Sequence, residues 1–259
     1  MADADLVSST ATASLDLQRV PAIVLDRDHL AEHKIVGSDS RDSRSRAFNL
    51  LRTRLANMLE GDAPRLVGVT SATPAAGKSF ISINLAMSLA RIADGPVILM
   101  DLDLRRGSVG AELGLDAARA GVSDFLVGKA RLQDIAVRIE GLALTVLPTQ
   151  VVTQASAELL AGDSFVALID ALRSQATHTV VLVDLPPVFA NDDTMLSIGQ
   201  LDGYILVVDS AETSKEHVQE AMSMLAPAPC LGTVLNRYAG KLFDKYGYGS
   251  TAYTKYYAQ

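Results

Sequence analysis

The chain has 259 residues, 49% hydrophobic and 20% charged, with a formal net charge of -7. That composition supports a globular protein with a sizeable core, and the acidic balance excludes general nucleic-acid binding. A single cysteine, Cys230, excludes an intrachain disulfide and fits a reducing cytoplasm, no apolar run nears the roughly 18–20 residues of a membrane span, and the N-terminus lacks the layout of a secretory signal.

In chain order, residues 1–40 are rich in Ser, Thr, Ala and Asp with weak periodicity, which predicts a mobile arm with one short ordered piece near Val20 to Leu25. From Ser43 to Leu59, Phe48, Leu51, Leu55 and Leu59 recur at three- and four-residue steps, joined by Leu50 and Met58; this predicts a helix, ended by Gly61 and Pro64. Strands are predicted at 65–70, 97–101, 142–147, 179–184, 203–208 and 230–235. Helices are predicted at 78–93, 122–127, 131–138, 155–161, 163–175, 193–199 and 214–225. Strands separated by helices imply right-handed crossovers, hence an α/β fold with a mostly parallel sheet and helices on both faces.

Between the first predicted strand and its helix lies Ala72-Thr73-Pro74-Ala75-Ala76-Gly77-Lys78-Ser79. Strand, small-residue loop, Gly-Lys-Ser and helix is the layout of a phosphate-binding loop, and makes the fold P-loop NTPase-like. Small residues let backbone N–H groups converge on a phosphate, and the helix N-terminus adds its positive dipole end. Thr73 to Phe80 are therefore the expected nucleotide contacts. Lys78 supplies a charge to the phosphates, and the Ser79 hydroxyl is a candidate Mg²⁺ ligand. The usual pattern has Gly where this chain has Ala72, and alanine does not adopt positive φ cheaply.

Ligands in such sheets bind at the carboxyl ends of the strands. Two of these ends are acidic: Val97-Ile-Leu-Met-Asp101-Leu-Asp103-Leu-Arg105-Arg106 and Val180-Val-Leu-Val-Asp184-Leu-Pro-Pro187. An apolar strand ending in Asp is the Walker B pattern, which makes Asp103 and Asp184 candidate metal ligands together with Ser79. Asp101 and Asp103, two apart, cannot both ionise unpaired in a dry site; with a cation on one, the other is free to orient or deprotonate an attacking hydroxyl, a role expected of Asp101. Arg105 and Arg106 follow where cations reach phosphate oxygens or an acidic partner.

Residues 43–259 resemble the bacterial tyrosine kinases that accompany capsule and exopolysaccharide export. The resemblance is carried by the loop, by Asp101-Leu-Asp103-Leu-Arg105-Arg106, by Asp184-Leu-Pro-Pro187, by Ala157-Glu158-Leu159-Leu160 and by Val234-Leu235-Asn236. It implies that Asn236, with Arg237, meets adenine. It also implies three parts: a flexible arm to residue 40, a kinase domain over 41–237 and a tyrosine-rich tail over 238–259. Six of the seven tyrosines fall in that tail, interleaved with Gly240, Gly247 and Gly249. In this family such a cluster is the autophosphorylation substrate, here Tyr246, Tyr248, Tyr253, Tyr256 and Tyr257. Partitioning and division-site ATPases carry a further loop Lys at the position of Thr73, which this chain lacks.

Three positions depart from the family. Ala72 replaces the first loop Gly, and Leu185 stands where Thr is common. The early helix reads Arg46-x-x-Asn49-x-x-Arg52 where the family carries Glu-x-x-Arg-x-x-Arg for subunit contacts in a ring. The resemblance implies a cytoplasmic autokinase using ATP and Mg²⁺. It further implies self-association through other contacts and a separate integral-membrane activator of polysaccharide export, acting in trans and recruiting the kinase to the inner face of the plasma membrane. The competing expectation is a nucleotide-gated ATPase switch without tyrosine transfer.

Overall fold

The computed structural model describes residues 13–238 apart from 60, 118, 153 and 154. Eight strands form one sheet: β1 (Ala22–Ile23), β2 (Arg65–Ser71), β3 (Val97–Asp101), β4 (Val137–Ile139), β5 (Leu144–Leu147), β6 (Val180–Asp184), β7 (Gly203–Asp209) and β8 (Cys230–Asn236). Their order is β1-β4-β5-β3-β6-β2-β7-β8. Every pairing is parallel except β4 with β5. The central strands are continuous apolar runs because both faces are covered, the usual state of a parallel sheet.

Ten helices flank the sheet among the described residues: α1 (Arg27–Glu32), α2 (Ser45–Ala56), α3 (Lys78–Ala90), α4 (Val109–Glu112), α5 (Val122–Leu126), α6 (Leu132–Ile135), α7 (Ser156–Leu160), α8 (Asp163–Arg173), α9 (Asp193–Ile198) and α10 (Lys215–Leu225). Helix α3 lies against Val67, Val97, Leu99 and Leu182, burying Ile83, Leu85, Met87 and Leu89 with Leu55 of α2 and Val109 of α4. The opposite face carries α5 to α10, with Phe165, Leu168 and Leu172 of α8 packed on Ile98, Met100 and Val181. At about 1.5–3 kcal/mol per fully buried large apolar side chain, the two layers are the main source of stability.

Two expectations change. Residues 13–40, read in sequence as part of a mobile arm, are seated on the body. Ala13, Leu15 and Val20 enter one core layer and Ile35 the other, and β1 pairs with β4. Asn84 Oδ1 accepts hydrogen bonds from Val36 N (2.8 Å) and Gly37 N (2.9 Å), clipping the segment to α3. Scattered apolar residues in a polar stretch have no period; they are buried because distant elements offer them sites. The helix predicted at 131–138 stops at Ile135, and Val137-Arg138-Ile139 forms β4, with Val137 and Ile139 buried and Arg138 exposed. That buried–exposed alternation has the period of a half-buried strand.

The Arg46-x-x-Asn49-x-x-Arg52 departure is used within the chain. Asn49 Oδ1 accepts from Ser88 Oγ (3.0 Å), Arg91 Nη1 (3.2 Å) and Arg52 Nη1 (3.3 Å), which ties α2 to α3.

Candidate nucleotide site

The loop leaves β2, which lies between β6 and β7, and enters α3; both neighbouring strands end in an acid, Asp184 and Asp209. Ala75 (φ 62°) and Gly77 (φ 90°) take the left-handed conformation; Ala72 does not. The missing first glycine therefore imposes no backbone strain. Gly77 is required: φ is positive there, and a Cβ would collide with Asn236 Nδ2.

Helix α3 turns Lys78, Ser79 and Ser82 toward the end of β6. Ser79 Oγ donates to Asp184 Oδ2 (2.6 Å), and Ser82 Oγ donates to Asp184 Oδ1 (2.9 Å). Lys78 Nζ sits 2.9 Å from Asp103 Oδ2 and 3.3 Å from Asp184 Oδ2. Burial works against the Lys78 charge, but Asp184 and Asp103 outweigh it and hold the ammonium above its ordinary range. Ser82 had no motif to announce it; its signal is the i+4 step from Lys78, which puts both on one helix face.

Asp101 and Asp103 occupy different places. Asp103 lines the cavity beside the loop. Asp101 is fully buried opposite Asp184 across the strand pair. Asp101 Oδ1 accepts from Asp103 N (3.1 Å) and Oδ2 from Val109 N (3.0 Å), so it wraps the 103–109 loop around itself. Burial, then the Asp184 charge, pushes its pKa up to about 8. It is fully buried and does not line the cavity.

The cavity is about 700 Å³, lined by loop residues 74, 75 and 77–80, by Asp103, Arg105, Arg106, Ser108 and Glu112, and by Pro186, Pro187, Ala190, Asn191 and Arg237. Thr73 and Ala76 support it from behind, Thr73 through its carbonyl, which accepts from Ser71 Oγ (2.7 Å). Glu112, which no motif marked, is pushed up by burial and accepts from Ser108 Oγ (3.2 Å). Asn236 Nδ2 donates to Ala76 O (2.8 Å) and its Oδ1 accepts from Arg237 N (2.9 Å). Asn236 thus braces the loop, while Arg237 faces the cavity with its Nη1 held 2.6 Å from Asp209 Oδ2. Leu185 is buried in the core. Residues 246–257, which carry the five expected acceptor tyrosines, lie outside the described residues.

A hydroxyl and two carboxylates converging on one ammonium form a hard-oxygen, net-acidic set. That donor chemistry fits Mg²⁺ completed by phosphate oxygens and water. Among the described residues no group of three or more His, Cys, Asp or Glu side chains would hold an ion without such help.

Residues 63–241 match the ParA family, described as NUBPL iron-transfer P-loop NTPase. Over 211 residues the chain is 32% identical to the tyrosine-protein kinase CpsD of Streptococcus pneumoniae serotype 4, spanning 77% of this chain and 86% of CpsD. The chain belongs to the bacterial tyrosine-protein kinases. The chain also resembles the solved kinase domain of the Escherichia coli tyrosine kinase ETK, with a TM-score of 0.70 at 27% identity, covering 80% of this chain and 83% of that one. It is 33% identical over 213 residues to EpsB of Ralstonia solanacearum, 81% of this chain but 28% of EpsB, so it spans less than a third of the EpsB proteins it matches. No helix among the described residues is long and apolar enough to cross a membrane.

Proposed function

We propose that this chain is an ATP-dependent tyrosine autokinase that phosphorylates Tyr246, Tyr248, Tyr253, Tyr256 and Tyr257 of its own tail, and so regulates capsule or exopolysaccharide polymerisation and export. The observation that carries the reading is the Lys78–Asp103–Asp184–Ser79 cluster at the mouth of a cavity large enough for a nucleotide.

In this reading the loop backbone and Lys78 bind the phosphates, and Arg237 faces the base. Ser79 and Asp184 would hold Mg²⁺, which would supply neutralisation of the phosphate charge. Asp103 orients the tyrosine hydroxyl; the phenolic oxygen forms the new bond to the γ-phosphorus, the bond to the ADP oxygen breaks, and Asp103 receives the phenolic proton. Asp101, expected as that base, instead holds the 103–109 loop in register. Positioning and charge neutralisation supply the rate. A tail entering a neighbouring copy's site, and a membrane-integral activator in trans at the inner face of the plasma membrane, complete the proposal.

The ATPase-switch alternative drew its support from Ala72 and Leu185. An unstrained Ala72 and a core-buried Leu185 withdraw it. The test is phosphotyrosine mapping by mass spectrometry after incubation with MgATP and the activator. Phosphate on 246–257 that disappears in Lys78→Met is expected. ATP turnover with an unmodified tail, or a Lys78→Met tail still modified, would overturn the reading.

A further inference from the structure

One buried acid has no part in the phosphate chemistry so far. Asp193, in the first turn of α9, is fully buried. Its Oδ1 accepts from Ser156 Oγ (3.0 Å), and its Oδ2 accepts from Asn191 Nδ2 (3.1 Å). Ser156 Oγ in turn accepts from Arg105 Nε (2.7 Å), and the same Nε lies 3.7 Å from Asp193 Oδ2. The contacts join the loop after β3, the start of α7 and the segment after β6, which meet only in the tertiary fold.

Arg105 lines the cavity and its side chain is 45% exposed. Its two terminal nitrogens make no hydrogen bond among the described residues, so only Nε is anchored. Arg105 stands two residues beyond Asp103, the carboxylate paired with Lys78, and both line the cavity.

We propose that Asp193 and Ser156 are positioning residues that fix Arg105 at Nε and aim its terminal nitrogens at the γ-phosphate, so that the site distinguishes ATP from ADP. The proposal rests on the nucleotide reading above. An arginine held this way has already lost part of its rotamer freedom, so less is lost when its charge-assisted hydrogen bonds to phosphate form.

The test uses equilibrium binding of a non-hydrolysable ATP analogue and of ADP, with Mg²⁺, to the full chain, and needs no activator. In Arg105→Ala, Asp193→Asn and Ser156→Ala the Kd of the analogue should rise about tenfold, the size of one charge-assisted hydrogen bond, while that for ADP stays within about twofold. The double variant Arg105→Ala/Asp193→Asn should bind the analogue no more weakly than Arg105→Ala alone, because Asp193 acts through Arg105. Equal weakening of both nucleotides by Asp193→Asn, a further loss in the Arg105→Ala background, or an unchanged analogue Kd would each overturn the proposal while leaving nucleotide binding intact. A wild-type chain that binds neither nucleotide overturns the nucleotide reading and the clamp with it. If thermal melts show Asp193→Asn unfolded, Ser156→Ala alone and combined with Arg105→Ala carry the same comparison.

Discussion

Replacing Asp101 with Asn should change how stability depends on pH. Burial and the Asp184 charge push the folded pKa of Asp101 up to about 8, from an ordinary 3.8. Between about pH 4 and pH 8 the folded chain keeps a proton that the unfolded chain has released. Stability in that window therefore falls as pH rises, by about 1.4 kcal/mol per unit, or about 2.7 kcal/mol from pH 5 to pH 7. Asn removes this slope. It also turns an amide N–H₂ toward one of the two backbone donors, Asp103 N or Val109 N, a pH-independent loss of about 1–3 kcal/mol. Urea unfolding of both proteins at pH 5, 6, 7 and 8 reads the difference. Asp101→Asn should be the less stable at pH 5, and the gap should close or reverse by pH 8. Parallel curves, or a gap that widens with pH, would show that Asp101 is ionised in the fold and that it does not serve as a neutral brace.

Gly77→Ala should cost at least about 2 kcal/mol and abolish nucleotide binding, since it combines positive φ with a collision on Asn236, whereas Ala72→Gly should cost about 1 kcal/mol and leave nucleotide affinity unchanged; thermal melts and nucleotide titration check both. Leu185→Ala should lower stability by about 2–5 kcal/mol in urea, with the Kd for nucleotide preserved, because Leu185 is core and not site. Asn84→Ala leaves the buried N–H groups of Val36 and Gly37 without their acceptor, so stability should fall by about 2–3 kcal/mol and limited proteolysis should cut near residue 37 first. An unchanged digestion pattern would mean that the N-terminal segment is held by its apolar contacts alone.

Much of the site was legible before any coordinates. The step from an apolar strand through small residues to Gly77-Lys78-Ser79 is a local pattern, and the structure places Lys78 within hydrogen-bond reach of Asp103 and Asp184 and Ser79 within reach of Asp184. The apolar runs at 97–101, 180–184 and 203–208 announced strands buried on both faces, as they are. Ser82 and Glu112 were missed because a serine inside a helix and a glutamate ending a four-residue helix carry no pattern of their own.

The sequence by itself determined the central strands, most of the longer helices, the phosphate loop and the chemistry of its acids, because helical and strand periods and the loop's conformational demands are local properties. Only the tertiary structure decided which of two acids two residues apart faces the cavity. Sequence spacing puts Asp101 and Asp103 on one face of an extended strand, but the strand ends at Asp101 and the chain turns back to cap that carboxylate with its own backbone. It likewise decided that residues 13–40 pack on the body and that Ser156 and Asp193 stand behind Arg105. These are contacts between residues tens of positions apart, and their partners are set by how layers stack, which no local period encodes.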